Sequence, residues 1–209
     1  MIRPLRLGCL ISGGGRTVLN LRSWIERGEL DAKIATVIAH REDLAGVGRC
    51  REAGLPVEIV PIDPPESLPD RLDLHLRSTS VDLVCLCGYL RHLQITEPLA
   101  NRVINIHPSL LPRFGGQGMY GMHVHRAVVD AGERTSGCTV HLVDEVYDQG
   151  PVLHQRRCPV HPDDDATTLA ARVFEEEIRA LPETIQAIAT GELRIEDDAV
   201  RGRVRAGES

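Results

Sequence analysis

Four short, largely apolar runs at 5–11, 32–39, 57–62 and 81–86 dominate the first half of the chain. They are rich in β-branched residues, and continuous rather than alternating hydrophobicity predicts strands covered on both faces. Between them the apolar residues fall at helical spacing, which predicts helices at 18–27, 46–53 and 69–78, with Gly28 and Gly54 as stops after the first two. Strand and helix in alternation give right-handed crossovers and a parallel sheet, so residues 1–100 read as a mononucleotide-binding half of Rossmann type. The pattern then changes. A strand at 102–106 is followed by a Pro/Gly-rich loop and by strands at 137–142 and 152–157, which can pair antiparallel and extend the sheet. Asp165 precedes a long helical pattern at 166–190 that Gly191 stops, and a carboxylate there suits both the N-cap and the helix dipole. From Glu196 onward the residues are polar and charged, without an apolar period, and a loosely ordered tail is expected. The fold class is therefore α/β: a single-domain, Rossmann-like open sheet, mostly parallel with an antiparallel C-terminal extension. The domain is expected to span 1–195, with halves at about 1–100 and 101–195 and a tail at 196–209.

With 209 residues the chain is long enough for one domain that buries about 70% of the surface its unfolded form exposes. Aromatic residues make up only 3%, so a core must be built from Leu, Val, Ile and Ala. A net charge of −6 argues against bulk nucleic-acid binding. No apolar run reaches the roughly 18 residues of a membrane span, and Met1-Ile2-Arg3-Pro4 leads into a strand pattern rather than a signal peptide. A cytoplasmic enzyme acting on small molecules is expected, with neither nucleic acid nor membrane as partner. No apolar stripe is surplus to the core, which leaves monomer and homodimer both open. The six cysteines, Cys9, Cys50, Cys85, Cys87, Cys138 and Cys158, lack CxxC spacing and read as reduced core thiols.

Chemistry concentrates in Asn105-Ile106-His107-Pro108 and, some forty residues later, Asp148-Gln149-Gly150. An amide that donates to an oxyanion, an imidazole that moves a proton and a carboxylate that orients it can together run an acyl transfer. Asn105 and His107 alternate at the end of a predicted strand, so both side chains point the same way beyond its carboxyl end, where open parallel sheets bind ligands. Pro108 and Pro112 stiffen the loop that follows. Ser12-Gly13-Gly14-Gly15-Arg16 follows the first strand and opens the first helix, the place for a phosphate against backbone N–H groups; the spacing is neither GxGxxG nor Walker A, and a plain tight turn fits as well. Arg16 is a further candidate phosphate contact. The glycine-rich stretch 115–121 reads as a mobile loop over the site or as a simple connector. His123 and His125 form a weak metal pattern without a clear third ligand, and Asp163 to Asp165 reads as a cap, so no metal is expected.

Four motifs in order resemble the folate-dependent formyltransferase family over about 5–193. They are Ile11-Ser12-Gly13-Gly14-Gly15, Cys87-Gly88-Tyr89-Leu90-Arg91, Asn105-Ile106-His107-Pro108-Ser109-Leu110-Leu111-Pro112, and Asp148-Gln149-Gly150-Pro151. The third is the specific one. The resemblance implies transfer of a formyl group from 10-formyltetrahydrofolate, as co-substrate, to the amine of glycinamide ribonucleotide in purine biosynthesis. The attack is direct, through a tetrahedral intermediate and without a covalent enzyme intermediate. It implies that Asn105, His107 and Asp148 are catalytic, with His107 protonated and paired to Asp148. The substrate phosphate would lie on Ser12 to Gly15, with His123 and Glu177 also on the nucleotide side. The folate would lie against Tyr89, Leu90, Arg91, His92 and Leu93, with Asn105 reaching it. The chain departs from the family at Arg16-Thr17, where Ser-Asn is common, and in a longer, glycine-richer loop between Pro112 and His123; both lie on the nucleotide side. Rival readings are a formyltetrahydrofolate hydrolase, whose relatives usually carry His-His where this chain has His107-Pro108, and a formyltransferase for another phosphorylated or sugar-nucleotide amine. A methionyl-tRNA formyltransferase would need a second, basic domain. A nucleotide-binding module without catalysis would leave Asn105 dispensable.

Overall fold

The computed structural model describes residues 3–196 and 199–204. The protein is an α/β fold with a mostly parallel seven-stranded sheet in the order β3-β2-β1-β4-β5-β6-β7 and a separate two-stranded sheet, β8-β9. Its strands are β1 (Leu5–Ile11), β2 (Ala32–Ala39), β3 (Val57–Ile59), β4 (Leu83–Leu86), β5 (Val103–His107), β6 (Thr135–Leu142), β7 (Val152–Pro159), β8 (Leu193–Glu196) and β9 (Ala199–Gly202). Its helices are α1 (Arg16–Glu26), α2 (Ala45–Glu52), α3 (Leu68–Ser78), α4 (Met122–Asp130) and α5 (Ala166–Ala189). Two compact units divide the chain between Ile104 and Asn105.

In the first unit β1 pairs in parallel with β2 and β4, and β2 with β3. Leu7, Cys9, Leu10 and Ile11 are all buried, as continuous hydrophobicity predicts for a strand covered on both faces. Each fully buried Leu or Ile contributes about 1.5–3 kcal/mol relative to exposure. The predicted third strand ends early, at Ile59, because Pro61 has no N–H to extend the ladder. The start of the predicted fourth strand belongs instead to the end of α3, where the Val81 N–H bonds the Leu76 carbonyl.

In the second unit β6 and β7 pair antiparallel, with a register shift between Val140 and His141. Helix α5 covers them, burying Leu169, Val173, Leu181 and Ile185 on one stripe. Asp165 caps it as predicted: its side chain accepts from the N–H groups of Thr167 and Thr168, and Thr168 completes a capping box. Two elements differ from expectation. Helix α4 occupies the end of the segment read as loop, and it buries Val124, His125 and Val128 at helical spacing. The chain from Glu196, read as a loosely ordered tail, instead closes a hairpin: β8 and β9 pair Leu193 with Gly202 and Glu196 with Ala199. Leu193 anchors it in the core, while Arg194, Glu196 and Arg201 lie outside, a two-residue alternation too short to register in a polar stretch. The parts of that expectation at 197–198 and 205–209 lie outside the described residues. All six cysteines are free and buried. No helix among the described residues is long and apolar enough to cross a membrane.

Candidate active site

Strand β5 carries Asn105 and His107 at alternate positions, and the imidazole of His107 is buried. The loop after it is pinned from β6 and β7. Thr139 Oγ1 donates to the Ser109 carbonyl at 2.7 Å and accepts from the Leu111 N–H at 3.0 Å. Gln155 Nε2 donates to Thr139 Oγ1 at 2.9 Å and to the Leu111 carbonyl at 3.0 Å. Asp148 comes from the β6–β7 connection, with φ of +57°. That connection returns tightly because position 150 is glycine, where a Cβ would lie 2.0 Å from the Leu142 carbonyl oxygen.

The three predicted catalytic residues meet. Asp148 Oδ2 lies 3.5 Å from His107 Nδ1 and accepts from the Gly116 N–H at 2.8 Å. Asp148 Oδ1 lies 3.5 Å from Nε2 of a second buried imidazole, His141. His141 Nδ1 sits 2.7 Å from the Leu142 carbonyl, which can only accept, so Nδ1 carries the proton. In the neutral ring Nε2 is then an acceptor, and the Asn105 amide donates to it at 3.1 Å. By the same argument His107 Nε2 carries the proton it donates to the Phe114 carbonyl at 2.8 Å. Asn105, His141, Asp148 and His107 thus form one chain of polar contacts.

The electrostatics at His107 pull in opposite directions. The Asp148 carboxylate and the Phe114 carbonyl both favour a charged His107, but burial outweighs them and holds its pKa below the usual histidine value. Burial thus favours the neutral ring. Burial works to raise the Asp148 carboxyl, yet the neighbouring His141 and His107 and the Gly116 N–H together prevail and hold it below its ordinary value. A proton taken up at His107 Nδ1 would face the Asp148 carboxylate.

His141 was not singled out from sequence, although a polar residue alternating with Thr139 inside an apolar strand is a signal of that kind. Among the two histidines of the weak metal pattern, His123 is exposed with its ring edge-on to Tyr120, centroids 5.4 Å apart. His125 is buried, its Nδ1 has no hydrogen-bond partner, and burial followed by the nearby His107 lowers its pKa. Among the described residues no group of three or more His, Cys, Asp and Glu is placed to hold a metal ion. Glu177 lies half-buried on α5, and its charge adds to burial in pushing up the Cys138 thiol.

Within the first unit the glycine loop and the 89–93 segment adjoin. Ser12 Oγ accepts from the Leu90 N–H at 3.1 Å, and the Ser12 N–H bonds the Gly88 carbonyl at 3.2 Å. Helix α2 packs beneath the loop: the Gly46 N–H bonds the Gly13 carbonyl at 3.0 Å, and Arg49 Nη1 donates to the Gly14 carbonyl at 3.0 Å. Gly15, with φ of +72°, opens α1 without a side-chain cap. Arg16 is exposed at the same end. Of the 89–93 segment, Leu90, Arg91 and His92 are exposed, Tyr89 is half-buried and Leu93 is buried.

An amide, an imidazole and a carboxylate brought together on an α/β sheet are the kind of arrangement that can transfer acyl groups through a stabilised oxyanion. Residues 5–185 match the formyl transferase family, and the chain belongs to it. It is 39% identical over 192 residues to the chloroplastic phosphoribosylglycinamide formyltransferase of Vigna unguiculata, an alignment covering 90% of this chain and 62% of that protein. The chain thus spans less than two thirds of that relative. It is 31% identical to phosphoribosylglycinamide formyltransferase of Haemophilus influenzae, covering 92% of this chain and 91% of the relative. Among solved structures, glycinamide ribonucleotide transformylase 1 from Symbiobacterium toebii superposes with a TM-score of 0.86 at 35% identity, covering 97% of this chain and 96% of that one. A formyltetrahydrofolate deformylase from Pseudomonas syringae gives 0.80 at 25% identity, covering 96% of this chain and 66% of that one.

Proposed function

We propose that this chain transfers the formyl group of 10-formyltetrahydrofolate to the amine of glycinamide ribonucleotide, a step of purine biosynthesis. The observation that carries the reading is the Asp148 carboxylate set 3.5 Å from both His107 Nδ1 and His141 Nε2, with the Asn105 amide on the latter. Membership of the formyl transferase family and likeness to relatives named for this reaction support the substrates.

In this mechanism the nucleotide amine arrives as an ammonium, and neutral His107 takes one of its protons. The freed amine attacks the formyl carbon. Negative charge develops on the formyl oxygen, where the Asn105 amide and the new imidazolium stabilise it, while Asp148 holds that imidazolium. Collapse breaks the bond from carbon to N10 of the folate. N10 takes the proton back from His107, the remaining ammonium proton leaves through water, and one proton is released per turnover. The burial that favours the neutral ring suits its first role as base. The nucleotide phosphate is assigned to the loop from Ser12 to Gly15 with Arg16, and Glu177 and His123 to the same substrate. The folate is assigned to the 89–93 segment.

The test is a spectrophotometric assay with 10-formyl-dideazafolate, run with and without glycinamide ribonucleotide. Turnover that requires the nucleotide supports the transferase. Turnover without it would replace this reading with the hydrolase suggested by the deformylase likeness, and turnover with neither would move the search to another amine.

A further inference from the structure

We infer that the backbone of Phe114-Gly115-Gly116 is a clamp that positions His107 and Asp148, and that it fixes Nδ1 as the nitrogen of His107 that gains and loses the proton. The inference rests on the proposed reading of this site and adds a positioning element that no side-chain motif announces.

The two catalytic side chains stand 3.5 Å apart, too far for a good hydrogen bond, so their mutual placement depends on what else holds each of them. One three-residue stretch holds both. The Phe114 carbonyl receives the His107 Nε2 proton at 2.8 Å, and the Gly116 N–H reaches Asp148 Oδ2 at 2.8 Å. A carbonyl has no proton to give, so Nε2 keeps its hydrogen in both charge states of the ring. Nδ1, on the Asp148 side, is left to do the titrating.

Gly115 makes this approach possible. A Cβ there would lie 2.4 Å from Leu111 Cδ2, 3.1 Å from Asp148 Cβ and 3.6 Å from Asp148 Oδ2. A side chain at that point would have to displace the end of Leu111 and press on Asp148 Cβ. Phe114 and Gly116 take φ of +57° and +100°, which turns the carbonyl of one and the N–H of the other to the catalytic pair. The stretch is itself anchored. The Arg113 guanidinium lies 5.2 Å above the Phe114 ring and pairs with Glu133, and Ser109 Oγ donates to the Arg113 carbonyl at 2.7 Å. The glycine-rich insertion is therefore, at its first residues, part of the scaffold of the site.

The experiment combines Gly115→Ala kinetics with long-range 1H–15N correlation spectra of protein labelled with 15N-histidine. We expect kcat of Gly115→Ala to fall about a hundredfold, the scale for displacing a catalytic group by about 1 Å, with both KM values within about twofold. The wild-type His107 signal should show the Nε2–H form, and the variant should lose it. Gly28→Ala, which strains the distant end of α1, is the control for a merely structural loss: it should lower the melting temperature and leave kcat alone. If Gly115→Ala fails to fold, the wild-type protein decides. Its Gly116 amide proton should lie downfield and shift on Asp148→Asn. An Nδ1–H form of His107, a Gly116 amide indifferent to Asp148→Asn, or normal kcat in a folded Gly115→Ala would each overturn the clamp. A wild-type protein without formyl transfer would instead refute the proposed function, and the spectra would still judge the clamp.

Discussion

Thr139→Val removes one hydroxyl and nearly nothing else, and its effect can be worked out bond by bond. The side chain is 0% exposed, and its oxygen takes part in three hydrogen bonds: to the Ser109 carbonyl at 2.7 Å, from the Leu111 N–H at 3.0 Å and from Gln155 Nε2 at 2.9 Å. Gln155 retains the Leu111 carbonyl as a partner. The Leu111 N–H and the Ser109 carbonyl lose theirs in an interior that the isosteric valine closes to water. A stranded buried polar group costs about 1–3 kcal/mol, so two of them give about 3 kcal/mol of lost stability. For a chain of this size that is a fall of roughly 6–12 °C in Tm. Urea denaturation followed by circular dichroism measures it, and a cycle with Gln155→Leu should be non-additive because the two residues share a bond. A loss below about 1 kcal/mol would mean that Thr139 does not pin the loop after His107, and the reasoning would be wrong.

Other outcomes follow from the same geometry. Gly150→Ala must move the β6–β7 connection, because its Cβ would sit 2.0 Å from the Leu142 carbonyl oxygen; kcat/KM should drop about a hundredfold through displacement of Asp148, and unchanged kinetics would refute that dependence. Arg16→Ala should raise the KM for the nucleotide far more than that for the folate, while equal effects would mean that the glycine loop is not the phosphate site. Burial holds the pKa values of His107 and His125 below the ordinary histidine value of about 6.5. Below that pH the unfolded chain binds protons that the folded one refuses, so stability should fall as pH drops from 7 toward 5. His125→Met should flatten that slope, and denaturation midpoints that hold or rise on acidification would contradict the assignment.

Much of the frame was legible because long, continuous apolar runs have few ways to fold. Strands β1 and β2 begin and end where their hydrophobic runs do, and Asp165 announced α5 through the chemistry of its cap. Asn105, His107 and Asp148 could be named because their residue types carry a chemistry. What escaped depends on tertiary contact. His141 and Thr139 read as interruptions in an apolar strand until Asp148 and the 108–112 loop are laid against them. The burial of His107 was not legible either, because sequence shows the partner carboxylate and not the packing that opposes it. Helix α4 was hidden behind glycines whose loop character ends at Gly121, and the C-terminal hairpin behind charges that face outward.

The most direct measurement follows a 13C-labelled formyl group from 10-formyltetrahydrofolate by mass spectrometry, with glycinamide ribonucleotide present, in wild type and in His107→Asn. The account predicts labelled formylglycinamide ribonucleotide from the wild type and a rate at least about a hundredfold lower from the variant, the scale for losing a positioned acid–base group. Label recovered as formate, or equal rates from the two proteins, would contradict it.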